Sequence, residues 1–131
     1  MPGGPAALVT ATEIKIAQSA PQKFIENFDP QREHCWIAEQ DGNIIGSVML
    51  VKKTAAVAKL RLLYVEPSAR GLGVGGRLVQ ECIRFARAAN YRKITLWTNS
   101  ILLAARRIYQ REGFRQISTD GDFETWELNL I

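Results

Sequence analysis

The stretch that decides the fold spans residues 62–76 and reads Leu62-Leu63-Tyr64-Val65-Glu66-Pro67-Ser68-Ala69-Arg70-Gly71-Leu72-Gly73-Val74-Gly75-Gly76. Its apolar first part is typical of a central strand, which Pro67 ends. Four glycines then fall within positions 71–76, at the start of a predicted helix that reaches about Ala89. Glycine costs a helix about 1 kcal/mol relative to alanine, so this cluster indicates close approach to a ligand.

The start of this helix predicts an anion-binding site. The first turn of a helix has N–H groups without intrahelical partners and carries a partial positive charge. Arg70 and Arg77 flank the glycines. A phosphate or pyrophosphate is the ligand that such a turn suits best. A single glycine would favour the alternative, a tight turn with no ligand, but four favour anion binding.

The same segment satisfies the dinucleotide pattern GxGxxG through Gly71, Gly73 and Gly76, but its context differs from that fingerprint. The dinucleotide fingerprint directly follows its strand and needs an acid at the end of the next strand. Here residues 66–70 intervene, and the next predicted strand ends in residues 98–100, Thr-Asn-Ser. A Walker loop is excluded because the sequence has no Gly-Lys-Ser/Thr.

Outside this segment, the pattern predicts a sheet with flanking helices. Strands are expected at residues 13–16, 35–39, 44–51, 59–65, 93–98, 115–119 and 123–130. Further helices are expected from a cap at Ser19 to Phe28, and over Leu102–Glu112 with Asn99 or Ser100 as its cap. The order predicts an α+β fold, a three-layer α/β arrangement: a mixed, mostly antiparallel central sheet with helices on both faces.

Composition narrows the possible classes of protein. A chain of 131 residues suits one domain, and 47% hydrophobic with 23% charged residues is a globular mixture. No apolar run reaches 18 residues, so we expect no membrane span. The first residues lack the pattern of a secretory signal, so the cytoplasm is the expected location. Cys35 and Cys82 fit neither a disulfide framework nor a metal site, and no metal is expected.

The charge balance favours an anionic partner. Lys and Arg number 17 against 13 acids, which gives a net charge of +4. Nucleic acid binding would need a basic stripe with interleaved aromatic residues. The basic residues are scattered instead, so no nucleic acid partner is expected.

Two strings of the sequence resemble motifs of one enzyme family. Residues 62–75 resemble motif A of the GNAT superfamily of acyl-CoA N-acyltransferases, and residues 98–114 (TNSILLAARRIYQREGF) resemble its motif B. The resemblance covers residues 34–131 and is densest over 58–114, the expected acyl-CoA-binding core. Within the superfamily, the chain is most similar to the acyltransferase half of MarR-GNAT fusion proteins. Residues 1–131 would then be a single N-acetyltransferase domain with a shortened N-terminal segment at 1–33.

The resemblance implies acetyl-CoA, or another acyl-CoA, as donor substrate and a primary amine as acceptor. It assigns acyl-CoA binding to Leu63, Tyr64, Val65, Arg70, Gly71, Leu72, Gly73, Val74, Gly75, Gly76 and Asn99. The pyrophosphate would bind backbone amides at positions 71–76, and pantetheine would enter between parted strands 59–65 and 93–98. Arg106 or Arg107 could reach the 3′-phosphate, although solvated helix charges are the simpler explanation of both.

The resemblance identifies the catalytic residues only in part. By position alone, Tyr109 fits a core tyrosine packed against the sheet as well as a catalytic one. The resemblance favours the second interpretation, because Tyr109 matches the family tyrosine proposed as the acid for the leaving thiolate. The backbone N–H of Val65 or a neighbour is the oxyanion donor that the resemblance implies.

Lys59 occupies the position where many relatives carry a glutamate base. A cation there cannot accept a proton from an ammonium group. The remaining candidates for a base are Glu39, Glu66 and His34, with removal of the proton by water as the alternative, and none is assigned. Asp120, Asp122 and Glu124 could attract the amine, or they form a solvated turn.

Two questions stay open at this point. The shortened N-terminal segment leaves either an unusually exposed acceptor site or one that a second subunit completes, as in a homodimer. The unusual Lys59 favours an alternative function, a non-catalytic acyl-CoA-binding regulatory or interaction module.

Overall fold

The computed structural model describes residues 13–19 and 27–131, which form a seven-stranded sheet and two α-helices. The strands are β1 (Lys15–Ser19), β2 (His34–Gln40), β3 (Asn43–Lys52), β4 (Val57–Val65), β5 (Lys93–Asn99), β6 (Arg115–Asp120) and β7 (Phe123–Asn129). The helices are α1 (Val74–Ala88) and α2 (Leu103–Arg111), and a 3₁₀ turn at Pro67–Ala69 precedes α1. From β2 onward, the predicted ends of the elements are confirmed to within two residues.

The sheet is mixed and mostly antiparallel, as predicted. The strand order is β1-β2-β3-β4-β5-β7-β6, and only β4 and β5 are parallel neighbours. A parallel pair needs a crossover connection, and α1 supplies it. The chain therefore leaves the carboxyl end of β4, turns directly into α1 and returns to begin β5.

The core lies between the sheet and the two helices. Side chains alternate along each strand, and those on this helix face form one buried cluster with α1. The sheet contributes Trp36, Val48, Leu50, Leu60, Ile94, Leu96 and Trp126. The helix contributes Leu78, Val79, Cys82, Ile83 and Ala86, which is the stripe that the 3.6-residue spacing predicts.

Both described helices lie on the same face of the sheet. Gln80 of α1 donates a hydrogen bond to Glu112, directly after α2, at 3.1 Å. Tyr109 of α2 packs against Trp126 of β7. Neither helix in this part of the chain is long and apolar enough to cross a membrane. The sequence also predicted a helix between Ser19 and Phe28, which would cover the opposite face of the sheet. Residues 20–26 lie outside the described residues, so this part of the prediction is not tested.

The predicted helix cap at Ser19 is wrong. Ser19 is the last residue of β1 and pairs with Cys35 of β2, whose Sγ lies 3.2 Å from the Ser19 carbonyl oxygen. The predicted strand at 13–16 accordingly lies further along, at Lys15–Ser19. All five residues of β1 pair with β2, and this edge pairing outweighs the local preference of serine for a helix cap.

The predicted cap of the second helix is also wrong. The strand β5 extends to Asn99, which pairs with Phe123 of β7, and α2 begins only at Leu103 with no side-chain cap. Asn99 Oδ1 instead accepts a hydrogen bond from the N–H of Ile101 at 3.0 Å. Pairing with β7 thus keeps Asn99 in the strand, and its side chain forms the turn that follows.

Candidate functional site

The parallel ladder between β4 and β5 is short. Its three rungs are Val57 with Lys93, Ala58 with Ile94, and Lys59 with Thr95. Beyond the last rung, β4 continues to Val65 and β5 to Asn99 with no pairing between them. The two strands therefore part after Lys59 and Thr95, as the resemblance predicts. We call the resulting space the β4–β5 gap.

A bulge in β4 accounts for this gap. The strand β4 stays paired with β3, but its register shifts between Ser47 and Met49, whose partners are Tyr64 and Arg61. Within this shift Leu62 adopts a φ of 57°, in the left-handed region. A bulge bends the strand that carries it, which turns the end of β4 away from β5. A left-handed leucine costs about 1–2 kcal/mol, so the surrounding sheet must hold this conformation.

The end of β4 directs main-chain groups into the gap. The N–H of Glu66 donates to the carbonyl oxygen of Ile45 at 2.8 Å, so this peptide group faces β3. Successive residues of a strand direct their N–H and C=O groups to alternate sides. The N–H of Val65 therefore faces the gap, where β5 does not pair with it.

The glycine turn at the mouth of the gap is open. Gly71 and Gly73 have φ values of 86° and 77°, which L side chains rarely adopt. A Cβ built on either residue would meet no heavy atom within 4 Å. Among residues 13–19 and 27–131, no side chain fills this turn, and its backbone is open to a ligand on that side.

The start of α1 carries the features of an anion site. Gly73 is the N-cap residue, no side chain caps the helix, and the first turn has no acidic residue. The first intrahelical bond is donated by Arg77 to the carbonyl oxygen of Gly73, at 3.1 Å. The N–H groups of Val74, Gly75 and Gly76 precede it and have no intrahelical acceptor. They stand at the positive end of the helix dipole.

The glycines of the turn have different roles. A Cβ on Gly75 would lie 2.6 Å from Ile108 Cδ1 and 3.4 Å from Val65 Cγ2, so this glycine lets α1 approach both α2 and β4. A Cβ on Gly76 would meet only Glu112 Oε2, at 3.7 Å. Packing therefore explains Gly75, whereas no contact within the described residues requires a glycine at position 76.

Two of the arginines near the site already donate hydrogen bonds to other groups of the protein. Arg77 Nη1 donates to the carbonyl oxygen of Ile14 at 3.3 Å, which ties α1 to the residue before β1. Arg106 Nε donates to Glu124 Oε1 at 3.0 Å. The expectation that Arg106 could reach a 3′-phosphate is therefore not supported. Arg70 and Arg107 are exposed.

Tyr109 lies on the inner side of α2. Its ring packs with Phe114 and Trp126, with centroids 5.8 and 6.3 Å away, and the residue is 4% exposed. Burial, with a smaller contribution from Cys82, raises the pKa of Tyr109 to about 12. The phenol is therefore a proton-bearing donor at any physiological pH.

Glu124 is a site neighbour whose environment the sequence did not reveal. It was expected either as an attractor of the amine or in a solvated turn, but it is only 5% exposed. Arg106 Nε and Trp126 Nε1 both donate to its Oε1 at 3.0 Å. It pairs with Thr98 of β5, on the helix face. Strand alternation was the available signal, because it places Glu124 and Trp126 on the same face.

The candidate bases differ in their distance from the gap. His34 contacts Phe85, eleven residues after the start of α1, which is about 16 Å along the helix. Glu39 is exposed on β2, two strands from the gap. Glu66 is half-buried and directly follows Val65. Glu66 alone of the three adjoins the gap, and no geometry in the described residues makes it a base.

The sequence matches the acetyltransferase (GNAT) family over residues 8–114, so the chain belongs to that family. The camello N-acetyltransferase of Xenopus tropicalis, whose activity is assigned provisionally, is 36% identical over 83 residues. The match covers 62% of this chain and 38% of that protein. The chain spans roughly a third of the length of the curated relatives that it matches.

Two solved structures are similar to this chain over about nine tenths of its length. A protein of Klebsiella pneumoniae subsp. pneumoniae, provisionally assigned as an acyl-CoA N-acyltransferase, has a TM-score of 0.80 at 18% identity; 90% of this chain and 98% of that chain are covered. A GNAT family acetyltransferase from Elizabethkingia anophelis, with acetyl-CoA bound, has a TM-score of 0.72 at 16% identity; 89% and 98% are covered. These likenesses establish the fold.

Alanine substitutions should distinguish the roles of the two helical glycines, Gly75 and Gly76. Gly75→Ala displaces Ile108 and should lower the free energy of unfolding by about 1–2 kcal/mol. Gly76→Ala is unobstructed and should raise it by up to about 1 kcal/mol, because alanine favours the helix. Urea unfolding of both ligand-free variants measures these changes. Equal effects would show that contact with Ile108 does not explain Gly75.

Proposed function

We propose that this chain is an acetyl-CoA-dependent N-acetyltransferase that transfers an acetyl group to a primary amine of a small molecule or peptide. The observation that carries this proposal is the uncapped, glycine-rich start of α1 at the mouth of the β4–β5 gap. An acyl-CoA has a diphosphate attached to an extended arm that bears amides. The helix start suits the diphosphate and the gap suits the arm. Family membership and the acetyl-CoA in a neighbour of the same fold support this donor.

In the proposed complex, main-chain groups hold most of the donor. The pyrophosphate accepts hydrogen bonds from N–H groups between Gly71 and Gly76, with the exposed Arg70 beside them. The pantetheine arm extends along Leu63–Val65 in the manner of an added strand. Tyr64 and Leu72, both about half exposed, offer apolar contacts at the two ends of this path. Asn99 marks the other rim of the gap, at the end of β5.

The gap then places the thioester where Val65 can act on it. The neutral amine attacks the carbonyl carbon, and negative charge develops on the carbonyl oxygen. The N–H of Val65, which faces the gap, stabilises this oxyanion. When the intermediate collapses, the C–S bond breaks and the acetyl group stays on nitrogen. The nitrogen gives up one of its two protons to water, so that an amide with a single N–H remains, and no base residue is assigned.

Tyr109 assists the departure of the thiolate in this scheme. Because its pKa is about 12, it is a much weaker acid than a thiol, whose pKa is near 8.5. Complete transfer of its proton to the thiolate is therefore unfavourable. The phenol instead stabilises the developing charge as a hydrogen-bond donor, and solvent supplies the proton that the thiol finally holds.

The alternative function is a non-catalytic acyl-CoA-binding module. The observation that favours it is Lys59 at the last rung before the gap, because a cation cannot accept a proton from an ammonium group. This alternative keeps the same acyl-CoA site and differs only in turnover.

Other features remain proposals. A single domain within these residues and a cytoplasmic location are part of the proposal, and free Cys35 and Cys82 suit a reducing compartment. The particular likeness to MarR-GNAT fusions and the homodimer stay predictions.

Binding of the donor can be tested with a charge placed at the turn. The wild type should bind acetyl-CoA with a micromolar Kd in isothermal titration, and should bind NAD⁺ at least tenfold more weakly. Leu72→Asp should weaken acetyl-CoA binding at least tenfold relative to the isosteric Leu72→Asn, because its carboxylate would repel the diphosphate. No heat of binding with acetyl-CoA would refute both the enzyme and the module. Binding without thiol release from any amine would favour the module.

Tyr109→Phe should lower kcat about 10²-fold and leave the Kd of acetyl-CoA within twofold of the wild type. Stopped assays of thiol release and titration measure the two quantities. Normal kcat with weaker acetyl-CoA binding would assign Tyr109 to packing.

The same variant tests how stability depends on pH. Because the pKa of Tyr109 is about 12 in the folded protein and about 10 in the unfolded chain, Tyr109 stabilises the fold fully below pH 10. That contribution is lost as the pH rises towards 12. The variant should therefore lose stability less steeply over this range.

A further inference from the structure

We propose that the amine acceptor carries a carboxylate, and that Lys59 and Arg61 form its binding site on the face of the sheet opposite the helices. This inference rests on the proposed function and names the class of acceptor, an apolar α-amino acid. It starts from the side of the gap that the two described helices leave uncovered.

The helix face of the gap is covered by the two helices. Gly75 of α1 lies against Val65, and Ile108 of α2 lies against Gly75. Tyr109 and Trp126 pack beside them. An acceptor therefore has to reach the thioester carbon from the opposite face of the sheet.

Two cations lie on that opposite face beside the gap. Ala58 and Leu60 are buried on the helix face, so Lys59 and Arg61 project to the other side. Lys59 belongs to the last rung between β4 and β5, at the closed end of the gap. Arg61 follows on the same face, about 7 Å along the strand, and is exposed.

No carboxylate of the described residues neutralises these two cations. The ion pairs within residues 13–19 and 27–131 are Glu81 with Arg84, Lys93 with Glu127, and Arg106 with Glu124. Glu127, an acid of the same face, is thus already bound by Lys93, at 3.0 Å. Lys59 and Arg61 therefore form an anion site, which a carboxylate can bind by two parallel hydrogen bonds from the guanidinium group.

An exposed aromatic pair lies next to Lys59. Its Nζ is 4.9 Å from the ring centroid of Trp97, and the ring centroids of Trp97 and Phe123 are 6.4 Å apart. The two rings are 67% and 53% exposed. A bound amino acid can place an apolar side chain on these rings while its carboxylate binds the cations.

The positive charges of Lys59 and Arg61 also bear on how the acceptor amine loses its proton without a base residue. In the proposed complex the cations lie beside the bound acceptor, and positive charge there shifts its ammonium group towards the neutral amine. The carboxylate of the acceptor provides the attraction that the amine itself lacks. Lys59 is thereby a specificity-determining residue and has no need to accept a proton.

The test compares three amines that share a phenyl group. At saturating acetyl-CoA, thiol release should give a kcat/KM for L-phenylalanine at least tenfold above those for L-phenylalaninamide and phenethylamine. The amine of the amide is the more readily deprotonated, so amine reactivity alone would favour the amide. Lys59→Met and Arg61→Met should each remove most of this preference through KM, with the Kd of acetyl-CoA unchanged. Arg61→Lys should retain part of it.

Arg84→Met, on the exposed side of α1, is the matched control and should behave as the wild type. Equal or better turnover of the amide or of phenethylamine would overturn the carboxylate site and leave the N-acetyltransferase in place. Unchanged preference in the Lys59→Met, Arg61→Met double variant would also overturn it. Thiol release from none of the three amines, with acetyl-CoA bound, would overturn this inference, and absence of release across a broad panel of primary amines and peptides would overturn the proposed function as well.

Discussion

The parting of β4 from β5 after Lys59 and Thr95 is the constraint on which the rest of the site depends. Because of the bulge at Leu62, β4 cannot stay paired with both β3 and β5, and it stays paired with β3. This choice leaves the carboxyl end of β4 without a partner on its other side. Such unpaired edges are normally covered or blunted in proteins. Here the edge faces a gap that an extended ligand can fill.

The connection between β4 and α1 brings a second element to the same place. The chain passes from Val65 through one 3₁₀ turn and the glycines into the first turn of α1. Main-chain donors of a helix start and of a strand end therefore meet within a few residues of sequence. An anion at a helix start is stabilised by about 0.3–1 kcal/mol when exposed and up to about 2 kcal/mol when partly buried. That modest energy explains why several N–H groups, rather than one, are needed to hold a diphosphate.

Much of the fold could be predicted because its signals are local. Strand alternation, the stripe of α1 and the turn residues predicted the elements from β2 onward. The wrong caps at Ser19 and Asn99 have one cause in common, since pairing with a neighbouring strand outweighed the preference of the residue itself. The bulge at Leu62 had no signal, because leucine does not favour a left-handed conformation. The ion pair of Arg106 with Glu124 joins residues far apart in sequence, so only the fold reveals it.

The site was predictable in its backbone and less so in its side chains. Four glycines at the start of a helix indicate an anion site without any tertiary information, and the described residues leave the turn at Gly71 and Gly73 open. The environment of Tyr109 required the structure, because burial, which raises its pKa to about 12, comes from packing between α2 and β7. Likewise, the charge of Lys59 is visible in the sequence, but its place beside the gap and Trp97 is not.

Amide hydrogen exchange with and without acetyl-CoA tests the main-chain site most directly. The N–H groups of Val74, Gly75, Gly76 and Val65 should exchange at least tenfold more slowly in the presence of the ligand, because each would donate to it. Unchanged exchange at these amides, with protection appearing in another part of the chain, would contradict the site.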